Sequence, residues 1–269
     1  MQGSEFIATY TKSSLAAWEL AAIEQAEQEN LVPWPMVPIP VSSNGHTGTF
    51  FVTSDYLAIG TLDDYVRMPL TPATAQAIAD MKNLLLPTAK MVEDIWKHSP
   101  IKLVPENLSP NKGANLAQYA QHSRLVDSSL QRANAFPGSL TSGQKKDVII
   151  SGPYSPSNRN GWKPGKVVIY GWYRPNGSPI QPKSNIHGDF YVDYSHGIRL
   201  VSPNMEVDGR NVTTEEVLQD PELSGLLTNE GPIVNVRYPS LSSRRYLATN
   251  SYYDIGNHIL LSEVGRNAA

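Results

Sequence analysis

Asp189-Phe-Tyr-Val-Asp193-Tyr-Ser195-His196-Gly197-Ile198-Arg199-Leu200-Val201 is the longest run in this chain that reads as alternating inward and outward side chains. Successive side chains of a strand point to opposite faces. The run therefore predicts a strand with Phe190, Val192, Tyr194, His196, Ile198 and Leu200 toward the core. Asp189, Tyr191, Asp193, Ser195, Gly197 and Arg199 then form a polar ladder on the other face. Around it the chain is short strands and turns: Val148–Ile150, Val167–Tyr170, the turn Pro175-Asn176-Gly177, and closing strands at Ile233–Arg237 and Tyr246–Leu261. Thr213-Thr214-Glu215-Glu216 reads as a capping box opening a short helix.

Upstream the period changes. A helix is expected from Ser13 to Asn30, capped by Ser13 or Ser14, with Leu15, Trp18, Ala22, Ile23 and Ala26 on one face. The alternating prolines of Pro33–Pro40 enforce an extended strap packed on the core. Phe50–Ile59 reads as a strand ended by Gly60. Thr71-Pro72 opens a helix whose buried side includes Ile78, Ala79 and Leu84–Leu86. After the break at Pro87-Thr88 a second helix points Met91, Val92, Ile95 and Trp96 inward, and a third spans Leu116–Gln131. Helices first and strands later predict an α+β fold, with N-terminal helices packed on a mainly antiparallel sheet from the C-terminal half. A single domain is expected over 7–269, helical in 7–140 and β-rich in 141–269.

The chain has 269 residues, a net charge of −3, 17% charged residues and no cysteine. Disulfides, thiolate metal sites and cysteine nucleophiles are thereby excluded, and no overall basic field exists to hold nucleic acid. No apolar run is long enough to span a bilayer. Gly3-Ser4-Glu5-Phe6 is what two adjacent restriction sites encode, so residues 1–6 read as a cloning scar that replaces whatever preceded Ile7, a signal peptide included. With many Tyr, Asn and Ser residues, the composition leans toward a secreted bacterial protein.

The candidate chemistry sits in Ser184–Leu200. His187, at the mouth of the strand, is placed with Asp189, Asp193, Ser195, His196 and Arg199 as candidate catalytic residues. Tyr191, Trp162, Trp172 and Lys146 are candidate substrate contacts. Ser195 and His196 are neighbours in sequence and face apart on a strand, which argues against a direct serine–histidine pair. Asp189 and Asp193 lie roughly 13 Å apart in an extended strand, too far for a retaining carboxylate pair. His187 with the two aspartates shows no recognised metal-ligand spacing; no cofactor is implied, and a divalent metal stays open. The Gly143-Gln144-Lys145-Lys146-Asp147 segment reads as a charged loop tip, and Asp63-Asp64 as a weak acidic pair.

Ile186-His187-Gly188 followed by Ser195-His196-Gly197-Ile198-Arg199-Leu200 resembles the signature of L,D-transpeptidases, which remodel bacterial peptidoglycan. That resemblance implies a site histidine at His187 and an anion-binding arginine at Arg199. The cysteine that follows Ser-His-Gly in that family is missing here, and with it the family's nucleophile. The residues themselves support a secreted hydrolase of a glycan or peptidoglycan-like polymer, with Asp193 as acid or base, His187 sharing proton transfer and Arg199 binding developing negative charge. A non-catalytic carbohydrate- or wall-binding protein, or a structural assembly protein, is the alternative.

Overall fold

A computed structural model describes residues 1–109, 114–152 and 165–238. The fold is α+β. In chain order the elements are α1 (Gly3–Tyr10), α2 (Leu15–Glu27), β1 (Met36–Ser43), β2 (His46–Thr53), β3 (Ala58–Gly60), β4 (Tyr65–Arg67), α3 (Pro72–Met81), α4 (Ala89–His98), β5 (Ile101–Lys102), α5 (Leu116–Arg132), β6 (Thr141–Ser142), β7 (Lys146–Val148), β8 (Ile169–Tyr173), β9 (Pro179–Ser184), β10 (His196–Gly197), β11 (Asn204–Val207), β12 (Arg210–Thr213) and α6 (Thr214–Gln219).

Two four-stranded sheets carry the architecture, ordered β1-β2-β11-β12 and β10-β7-β8-β9. The first is antiparallel throughout and draws strands from both halves of the chain. In the second only the β10–β7 pair is parallel. Two-stranded pairs β3-β4 and β5-β6 complete the set. One continuous apolar core runs from Phe6 and Trp18 through Ile39, Phe50, Ile78 and Met91 to Ile150, Ile198 and Leu226.

Local chemistry explains most helix boundaries. Ser14 accepts from the Ala17 N–H and starts α2. Pro72 occupies the first turn of α3. Thr88 and Thr213 cap α4 and α6 through the Met91 and Glu216 N–H groups. The helix expected to run toward Leu86 stops at Met81. Asn83 takes a positive φ of 52°, and Leu85 instead exchanges backbone hydrogen bonds with Val201.

The proline strap becomes the edge strand β1. Pro38 and Pro40 face solvent while Ile39 and Val41 are buried, and an edge is where a strand tolerates missing N–H donors. The strand expected over Phe50–Ile59 is broken into β2 and β3, because the Asp55 carboxylate turns back onto the Tyr56 N–H at 2.7 Å and also receives Arg67. Of residues 1–6, read as a cloning scar, 3–6 begin α1: Phe6 is fully buried, and a Cβ on Gly3 would lie 2.5 Å from the Tyr65 backbone.

The largest departure is Asp189–Val201. Only His196 and Gly197 form a strand and Val201 an isolated bridge; the rest is turns and irregular chain, so the polar ladder does not exist. Asp193 accepts from the Ser195 N–H at 2.8 Å and from the Ser195 hydroxyl, and the His196 N–H donates to the Asp193 carbonyl at 3.1 Å. These local bonds offer the backbone an alternative to a ladder. Ile233–Arg237 is likewise irregular rather than a strand, with the Ile233 N–H on the Leu218 carbonyl. The strand expected over 246–261 lies outside the described residues.

Candidate functional site

The turn at Asp193 is clamped by β7. The Lys146 N–H donates to the Ser195 carbonyl at 2.7 Å, and the Lys145 ammonium donates to the Tyr194 carbonyl at 2.7 Å. Gly197 is required for this approach, since a Cβ there would lie 2.5 Å from the Tyr56 ring and 2.8 Å from Lys145. Lys145, read as part of a charged loop tip, is in fact buried, and burial pulls its pKa down to about 7. No sequence signal marks it, because which of two adjacent lysines turns inward is decided by the pairing of β7 with β10.

On the solvent side four predicted residues meet. The His187 and Tyr191 rings stack with centroids 3.8 Å apart and 11° between planes. The Tyr191 hydroxyl donates to Asp193 Oδ2 at 2.9 Å. The Lys146 ammonium stands 3.9 Å from the same oxygen and 4.7 Å from the centre of the Trp172 ring. Trp172 is itself buried, with a positive φ of 57°. Trp162 lies outside the described residues.

The electrostatics reassign roles. Burial would raise the Asp193 pKa, but the His196 ring, the Lys146 ammonium and the two Ser195 hydrogen bonds outweigh it and hold the carboxyl well below the usual carboxylate range. Asp193 is therefore ionised at neutral pH. It cannot serve as a general acid and is a weak base. Burial also lowers His187, where the Asp193 charge opposes and Lys146 and Lys166 assist. His196, fully buried and depressed to about 4 mainly by burial, lies edge-on to Tyr191 at 5.7 Å between ring centres. Both imidazoles are neutral at pH 7. Ser195 is 1% exposed with its hydroxyl committed to Asp193, so it is not poised as a nucleophile.

Arg199 is not part of this cluster. It is fully buried, donates to the carbonyls of Thr53 (2.9 Å) and Thr141 (2.7 Å), and stacks over Tyr56 at 4.0 Å. Its guanidinium pins β2 to β6 and cannot bind a substrate anion. Asp189 is buried, its N–H on the Gly165 carbonyl at 3.2 Å, and its charge is felt by Tyr238. Among the described residues no three His, Asp or Glu side chains converge as metal ligands, and no helix is long and apolar enough to cross a membrane.

No protein family, curated protein or solved structure matches this chain.

Proposed function

We propose that the chain is a secreted hydrolase of a glycan or peptidoglycan-like polymer, with His187 as its general base. The stacking of His187 on Tyr191, whose hydroxyl is held by an ionised Asp193, carries this reading. The half-exposed imidazole is neutral at pH 7 and able to take a proton from water. Asp193 acts as a positioning residue that fixes Tyr191 and the 193–196 turn. Lys146, near the surface beside Asp193, takes the anion-stabilising role expected of Arg199. Trp172 holds that ammonium from beneath.

The non-catalytic binding protein remains the second reading, favoured by one observation. Both Asp193 oxygens and the Ser195 hydroxyl are engaged within the turn, so the cluster offers a base but no free protein nucleophile.

Incubation with peptidoglycan and a panel of glycans, followed by mass spectrometry of the products, separates the two. Product from the wild type that falls by roughly a hundredfold or more in His187→Ala supports the hydrolase. Intact polymers alongside saturable binding that weakens in Lys146→Ala replace it with the binding protein.

A further inference from the structure

A concavity of about 690 Å³ lies on the solvent face of the β1-β2-β11 sheet beside α4. Register fixes its floor. Pro40, Thr49 and Glu206 stand in one cross-strand row, and Ser42 pairs with Thr47, which the Asp208 N–H joins at 2.9 Å. The wall is the α4 face carrying Lys90, Asp94, Lys97 and His98.

The two sides carry opposite charge. On α4, the Lys90 and Lys97 ammonium groups converge on one carboxylate, that of Asp94, at 2.7 and 2.9 Å. One positive charge is left over. His98 Nδ1 meets the Asp94 carbonyl at 2.8 Å, so Nδ1 donates and Nε2 is the nitrogen left for other partners. On β11, Glu206 has no ion pair among the described residues, and Asp208 pairs with His46 at 2.6 Å. β1, the strand nearest α4, and β11 are two strand spacings apart, about 10 Å. That is the length of roughly three extended residues. Volume in this range suits a small ligand.

We propose that this groove binds a short peptide by its two free ends, the ammonium at Glu206 and Asp208 and the carboxylate at the Lys97 ammonium. Ser42, Thr47 and Thr49 hydroxyls lie between, where peptide amides and carbonyls pass. The site is separate from the His187 cluster and does not depend on the activity assigned there.

The test is an amide-resolved NMR titration of the full chain with triglycine. Saturable shifts confined to β1, β2, β11 and α4 are expected, with affinity falling about threefold or more in Glu206→Gln and in Lys97→Gln, as for partly exposed charge pairs. Triglycine with an acetylated amine and amidated carboxylate should not bind, and free glycine, too short to reach both sides, should bind more weakly than triglycine. His187→Ala should leave the titration unchanged. No shifts at about 20 mM triglycine, far above any specific affinity, would overturn the proposal. So would shifts centred elsewhere, or equal binding of the blocked peptide.

Discussion

Burial lowers the pKa of the His187 ring, and the charge on Asp193 opposes that shift. His187 stacks on the tyrosine whose hydroxyl Asp193 holds, and Lys146 faces the same carboxylate. Asp193 raises the His187 pKa while Lys146 lowers it. Asp193→Asn should therefore lower the His187 pKa further, and Lys146→Gln should raise it, as read by NMR titration of the ring. Unchanged values in both variants would dissolve the cluster as an electrostatic unit. If His187 is the base, activity rises with pH as the ring loses its proton. The midpoint of that rise lies below the ordinary imidazole value of about 6.5, and Lys146→Gln shifts it toward higher pH. The His, Asp and Tyr residues were legible in the sequence as part of a crowded polar stretch, and Lys146 only as a separate candidate contact. Their roles were not, because Asp193 reads as an acid or base until Ser195 and Lys146 are seen around it.

Among the elements, the helix caps show how the same local signal carries different weight. Thr88 and Thr213 each accept from the N–H three residues on. Thr88 is 2% exposed and its hydroxyl also donates to the Leu227 carbonyl, whereas Thr213 sits at the surface. Thr213→Ala should cost about 1 kcal/mol, the ordinary value of a cap. Thr88→Ala should cost about 2–3 kcal/mol, since it also strands a buried carbonyl. Equal losses in denaturant unfolding would show that the Leu227 bond contributes nothing. Both caps are marked in the sequence, one by Thr-Thr-Glu-Glu and one by Pro87-Thr88. The strand over Asp189–Val201 failed for the converse reason: its alternation is real, but Asp193 and Ser195 satisfy their own backbone locally and leave no ladder to extend.

Across the whole molecule, buried ionisable groups shape the pH dependence of stability. Glu19 on α2 caps α3 by accepting from the Thr71 N–H at 2.6 Å and the Thr71 hydroxyl at 3.0 Å. Burial raises its pKa from 4.5 to about 7. Between those values the native state keeps a proton that the unfolded chain has released, so stability falls as pH rises through that window. The loss is on the order of 3 kcal/mol, at about 1.4 kcal/mol per pH unit. Asp147, raised to about 7 by burial, acts in the same direction. Lys145, lowered from 10.5 to about 7, acts oppositely above neutrality, because there the unfolded chain binds the extra proton. Over the same interval His122 and His196, lowered by burial to about 2 and about 4, act oppositely because the unfolded imidazoles bind the extra proton there. The Glu19 contribution is therefore read as a difference: the stability of Glu19→Gln relative to the wild type should rise as pH goes from 5 to 7. A difference that does not change with pH would show that Glu19 does not titrate in this window.

Composition and periodicity by themselves determined the α+β class, a helix start at Ser13 or Ser14, the starts at Pro72 and Thr88, and the absence of thiol chemistry, because these depend on residue type and on contacts within a few positions. Only the tertiary structure decided that Arg199 is a buried pin between Thr53 and Thr141, that Lys145 lies beneath the site while Lys146 faces it, and that β2 pairs with β11 across more than a hundred residues of chain. Such outcomes depend on which distant backbone groups are left needing a partner, and a buried donor or charge is satisfied wherever the packed chain presents one.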